Sequence, residues 1–76
     1  MELKEFIANF AAEFESVSVD DFSGNTVFRD LEEWSSIMAF SIISMIGDKY
    51  DVVVTNAEMK NCKTVEDVFH LVEGKL

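Results

Sequence analysis

The segment Leu31-Glu32-Glu33-Trp34-Ser35-Ser36-Ile37 carries an acidic, polar stretch into an apolar one and sets two hydroxyls at the junction. Serine is a preferred helix N-cap, and the unpaired N–H groups of a first helical turn favour an anion held nearby. A phosphate ester on Ser35 or Ser36 would therefore lie in a favourable field. Little else in the chain invites chemistry. His70 is the only histidine; beside the apolar positions Phe69 and Val72 it reads as a partly exposed structural residue. Cys62 is the only cysteine and reads as a small filler or a surface thiol; without a basic group of known geometry beside it, nothing argues for a reactive thiolate. The acid pairs Asp20-Asp21 and Glu32-Glu33 raise the question of a divalent cation. No register from Asp20 to Asn25 supplies the alternating oxygen ligands, sixth-position glycine and twelfth-position glutamate of an EF-hand loop, so these read as solvated charge and no metal is expected. Without converging acid, base and nucleophile, the chain is not expected to be an enzyme.

The elements that must hold the two serines follow from periodicity. Leu3, Phe6, Ile7, Phe10 and Phe14 recur at helical spacing with Glu2, Glu5, Asn9 and Glu13 on the other face, which predicts an amphipathic helix over 2–15. Residues 16–35 lack a sustained period and contain Ser16, Ser18, Asp20, Asp21, Ser23, Gly24 and Asn25. They predict a long connection, of a length that is often functional, pinned to the helices by Val19, Phe22, Val27, Phe28 and Leu31. A second helix is expected from Ser35 or Ser36 to about Lys49, with Gly47 as a weak point near its end. Its buried stripe reads Ala39, Ile42, Ile43, Ile46 and Tyr50. The opposite stripe, Ile37, Ser41, Ser44 and Asp48, is polar except for Ile37. That isolates Ile37 as an exposed apolar residue next to Ser36, because burying it would turn the polar stripe inward. Met45 is expected in the core and Met38 on the exposed flank. Val52-Val53-Val54 favours extended structure but has no partner strand and reads as a linker. Thr55-Asn56-Ala57-Glu58 is a capping-box sequence that opens a short third helix to about Lys60. Thr64 caps a fourth, whose core stripe is Val65, Val68, Phe69 and Val72. The expected fold class is all-α, a bundle of three main helices and one short one, in a single domain over 1–76.

Seventy-six residues, 49% of them hydrophobic and seven of them Phe, can fold as one small domain despite a formal net charge of −9. Residues 1–35 hold nine acids against two bases, and residues 36–76 six against four. Such a surface repels nucleic acid and anionic lipid and favours Lys/Arg-rich protein partners. A single cysteine permits no internal disulfide, and no segment has the pattern of a signal peptide or the length of a transmembrane span. The cytoplasm is the expected location, with no stable membrane insertion and no nucleic acid, and a monomer is the expected state.

Trp34-Ser35-Ser36-Ile37 resembles the Trp-Asp-Ser-Leu or Asp-Ser-Leu pattern of acyl carrier proteins, small acidic helical domains whose serine bears a 4'-phosphopantetheine arm. The likeness extends from the Phe-rich first segment to Val72. The family places an aromatic residue fourteen positions after the modified serine. Tyr50 stands at that distance from Ser36, so the resemblance assigns the arm to Ser36 rather than Ser35. It implies an acyl-carrier-like bundle without catalysis of its own, in fatty-acid or related acyl-chain biosynthesis. A phosphopantetheinyl transferase would attach the arm, which would hold acyl groups as thioesters for acyl-activating or synthase enzymes. Alternatives are a carrier of aminoacyl, aryl or polyketide units, or a helical interaction domain without the arm. The residues expected to meet partners are Ile37, Met38, Ser41 and Glu33. The chain departs from the family in having Ser35 where an acid usually precedes the modified serine. Its second helix also has Met38, Ser41 and Gly47 where acids are common. Recognition should then lean on Asp30, Glu32 and Glu33, or be less electrostatic.

Overall fold

The computed structural model describes residues 1–76. Its helices are α1 (Leu3–Ala11), α2 (Ser36–Tyr50), α3 (Asn56–Lys60) and α4 (Val65–Lys75), with short 3-10 turns at Val19–Asp21 and Phe28–Asp30 between α1 and α2. No strand forms, and the only extended pairing is an isolated bridge between Val27 and Thr64. The all-α architecture of three longer helices and one short one is the expected one.

Aromatic side chains build the core. Phe6 and Phe10 of α1 are fully buried, and Phe69 of α4 meets Phe6 at 5.7 Å between ring centroids. The long connection enters the same cluster. Phe22 and Phe28 lie 6.1 and 5.6 Å from Phe10, and Trp34 lies 4.7 Å from Phe28. Aromatic pairs at such distances contribute about 0.5–1.5 kcal/mol each beyond their burial. The connection is therefore held by side-chain packing even though it has few backbone ladders. Of its five expected anchors, Phe22 and Phe28 are buried and Val27 and Leu31 half-buried. Val19 is exposed, on the first 3-10 turn, and anchors nothing.

Helix α1 ends at Ala11, short of the expected residue 15. Glu13 and Phe14 donate only to carbonyls three residues back, Phe10 and Ala11. The next two amides, those of Glu15 and Ser16, donate to the carboxylate of Glu33. A distant acid thus takes the donors a longer helix would have used. Phe14 still reaches the core, stacked 5.9 Å from Phe10.

At the other end of the connection, Val65 and Glu66 donate their amides to Thr26 and Gly24 carbonyls. These bonds satisfy two first-turn donors of α4 and fix the connection against it. A Cβ at Gly24 would come within 2.9 Å of a Glu66 carboxylate oxygen, so a larger residue there would make the Glu66 side chain swing aside. The guanidinium of Arg29 donates to the carbonyls of Met59 and Cys62 at the end of α3 and lies 5.2 Å from the Phe28 ring centroid. Cys62 is buried, and desolvation raises its thiol pKa, as suits an inert filler.

Helix α2 runs through Gly47 without a break and stops where Asp51 enters the left-handed region at φ 55°. Its buried residues are Ile42, Met45 and Ile46. The expected stripe members Ala39, Ile43 and Tyr50 are only half-buried. Val52 and Val54 then turn inward, with Val53 outward, in a connector without a strand. Both predicted capping residues act as such: Thr55 pairs with Glu58, and Thr64 with Asp67, each in a full capping box.

Candidate functional site

Ser35 and Ser36 are adjacent but have different tasks. Ser35 is the N-cap of α2: its backbone is extended, and its hydroxyl accepts the Met38 amide at 3.1 Å. Ser36 is the first helical residue, exposed, and no hydrogen bond within the chain engages its hydroxyl. An ester on Ser36 Oγ therefore disrupts no bond of the fold. The same group on Ser35 would disturb the cap.

The approach to these serines is fixed from the connection's side. Trp34 is half-buried between Phe28 and Phe14, the latter at 6.4 Å. Glu33 accepts the Glu15 amide at 2.9 Å, the Ser16 amide at 2.9 Å and the Ser16 hydroxyl at 2.6 Å. The Ser16 hydroxyl bond, then the two amides, hold its carboxyl below the usual range. A cleft of about 580 Å³ opens beside Ser36. Trp34, Ser36 and Phe40 line it from α2 and its approach, Met59 and Lys60 from α3, and Arg29 from the connection.

The predicted partner-facing residues are placed as follows. Ile37 is 80% exposed, immediately after Ser36. Met38, expected on the exposed flank, is half-buried and packs against the core, because the helix turns that face towards it. Ser41 is half-buried and lines a smaller cleft of about 310 Å³ with Phe40, Ser44 and Asp48. Glu33 is engaged by the residue 15–16 backbone, which turns this acid to structural use. His70 is exposed and lies between Glu66 and Glu73, at 3.3 and 3.6 Å.

Of the cleft residues that were not foreseen, which also include Arg29 and Met59, two stand out. Phe40 is 68% exposed and lines both clefts. Its signal was legible: it stands three residues after Ile37 and outside the buried stripe, so a helix would present both on adjoining faces. Lys60 lines the larger cleft from the last position of α3. No local signal connects it with Ser36, since their sharing of one cleft depends on how α3 packs beside α2.

The family model described as "Phosphopantetheine attachment site" matches residues 5–72, nearly the whole chain. No curated protein and no solved structure matches the chain at a significant level. An exposed serine at a helix start, with an unengaged hydroxyl and an adjoining cleft, suits what that family requires of its attachment residue. The chain belongs to the phosphopantetheine-attachment family, non-catalytic carrier domains that bear 4'-phosphopantetheine covalently on a serine and interact with phosphopantetheinyl transferases and synthase enzymes.

Proposed function

We propose that Ser36 bears the arm and that the protein is an acyl carrier protein for fatty-acid or related acyl-chain biosynthesis. The observation that carries the choice of serine is the division of labour at the start of α2: Ser35 Oγ caps the helix through Met38, while Ser36 Oγ is unengaged and exposed. On attachment, the Ser36 oxygen forms the new P–O bond, the pyrophosphate link of coenzyme A breaks, adenosine 3',5'-bisphosphate leaves, and the hydroxyl proton passes to the transferase or solvent. The arm, once bound, supplies a terminal thiol for thioesters. The chain's own residues present that group and meet the partners.

Ile37 and Phe40 supply an apolar contact beside the attachment point. Asp30 and Glu32, exposed and outside any ion pair, supply the acids that Glu33 does not. Met38 and Ser41 contribute at the edge of this surface rather than at its centre. The protein is read as a cytoplasmic monomer; no helix is long and apolar enough to cross a membrane. The second reading, a carrier for aminoacyl, aryl or polyketide units, is favoured by the acid-poor α2, whose only acid is Asp48.

The test is to incubate the protein with coenzyme A and a broad-specificity transferase and to measure its mass. The wild type should gain one phosphopantetheine and Ser36→Ala none. Ser35→Ala should still gain it, while losing about 1 kcal/mol of stability with its cap. A gain on Ser36→Ala that Ser35→Ala abolishes would move the arm to Ser35, and no gain on the wild type would reject the carrier reading.

A further inference from the structure

The cleft beside Ser36 is electrostatically unlike the rest of the molecule. The chain has fifteen acids and six Lys or Arg residues, yet no aspartate or glutamate lines this cleft, while Arg29 and Lys60 both do. Neither cation is in an ion pair. The single acid of α3, Glu58, is taken by Lys75 at 2.8 Å and by the Thr55 cap, so it does not neutralise Lys60 two residues on. Arg29 donates to two carbonyls, which position its guanidinium without cancelling its charge. Trp34, Ala39, Phe40 and Met59 give the same cleft apolar wall, against which an alkyl amide chain can lie.

Resting on the assignment of Ser36, we propose that this cleft is an anion-receiving site in which Lys60 is the charged contact for an oxyanion carried on the Ser36 tether. The oxyanion is either the tether's own phosphodiester or a carboxylate at the far end of a short acyl group. Arg29 holds the wall in place and adds to the positive field; Lys60, exposed and outside any ion pair, makes the contact. The apolar wall takes the uncharged part between.

Three loaded forms separate the two sources: phosphopantetheine alone, butyryl-phosphopantetheine and succinyl-phosphopantetheine, the last two alike in chain length but differing in a terminal carboxylate. Each is prepared from the corresponding coenzyme A derivative, its mass gain is recorded, and the amide spectra of Phe40, Asn56 and Lys60 are compared with those of the unloaded protein. If the phosphodiester is the ligand, these amides shift in all three forms alike; if the carboxylate is, they shift most in the succinyl form. In either case Lys60→Met should reduce the shifts by about twofold to fivefold, the occupancy change expected for an exposed pair. Lys63→Met, which removes a charge outside the cleft, should leave them intact. Mass gain with shifts confined to residues 35–37, or shifts that survive Lys60→Met, would overturn the anion site while leaving the attachment reading intact. Absence of mass gain would remove the tether and reject both.

Discussion

The carboxylate of Glu33 does at the residue scale what a longer α1 would otherwise do for the amides of Glu15 and Ser16. It accepts both, together with the Ser16 hydroxyl, one residue before Trp34 and three before Ser36. A charged acceptor makes these bonds shorter and stronger than neutral ones. Because they stabilise the ionised form, the folded-state pKa is lowered from the ordinary 4.5. The sign follows from linkage: the contribution is fully present above the unfolded value and is lost as pH falls through the lower folded value. Glu33→Gln keeps the shape and one acceptor but loses the charge. We expect a lower melting temperature than wild type at pH 7, and a difference that shrinks as pH falls below 4.5 and the wild-type carboxylate itself protonates. Thermal melts of the two proteins across that range check this. A difference independent of pH would mean that the charge of Glu33 contributes nothing. Glu58 and Asp67 are lowered as well, Glu58 chiefly by Lys75 and Asp67 by the Thr64 amide, so the wild type retains an acid limb of its own.

At the scale of elements, α2 is the rigid body that presents Ser36, Ile37 and Phe40, and Gly47 is its one residue without a side chain. It is helical and exposed, and a Cβ there would meet nothing nearer than the Val52 carbonyl at 3.9 Å. Gly47→Ala should therefore raise stability by roughly 0.5–1 kcal/mol, through helix propensity and a less flexible unfolded chain. Denaturant melts would show it as a higher midpoint at unchanged slope, and a lower midpoint would reveal a packing role for the bare backbone. The helices that were legible beforehand are those whose signals are local. Thr55 with Glu58 and Thr64 with Asp67 are complete within four residues, and the stripe Val65, Val68, Phe69 and Val72 lies within one helix. The serine joint was legible for the same reason, as an N-cap followed by an apolar run. What escaped is non-local. The amides of Glu15 and Ser16 beyond α1 find their acceptor in Glu33, eighteen residues from Glu15, and Lys60 and Ser36 come to line one cleft through packing between helices. Met38 was misplaced because α2 carries apolar residues on nearly every side, which leaves periodicity little contrast to work with.

For the whole molecule, the formal charge of −9 is the term that acts everywhere at once. The molecule measures 29 × 24 × 20 Å, and its ion pairs are Lys75 with Glu58 and those His70 makes when protonated with Glu66 and Glu73, so most acids lack a partner. At 0.01 M ionic strength the screening length of about 30 Å spans the fold, and every acid repels every other; at 0.1 M it falls to about 10 Å. Local charge-to-backbone contacts such as Glu33 with Ser16 or Asp67 with Thr64 operate within 3 Å or so and lose far less to the same salt. Relief of long-range repulsion should therefore win. We expect sodium chloride to raise stability by about 1 kcal/mol, a rise of roughly 4–8 °C in melting temperature for a domain of this size. Most of the gain should come by about 0.2 M, since screening saturates there whereas bulk salting-out continues to grow. A series of melts from 0.01 to about 1 M salt distinguishes the two by shape. A melting temperature that falls with salt would instead show that attraction between the few bases and their surroundings outweighs the repulsion. In that event the cations of the cleft beside Ser36 would be the first place to look for it.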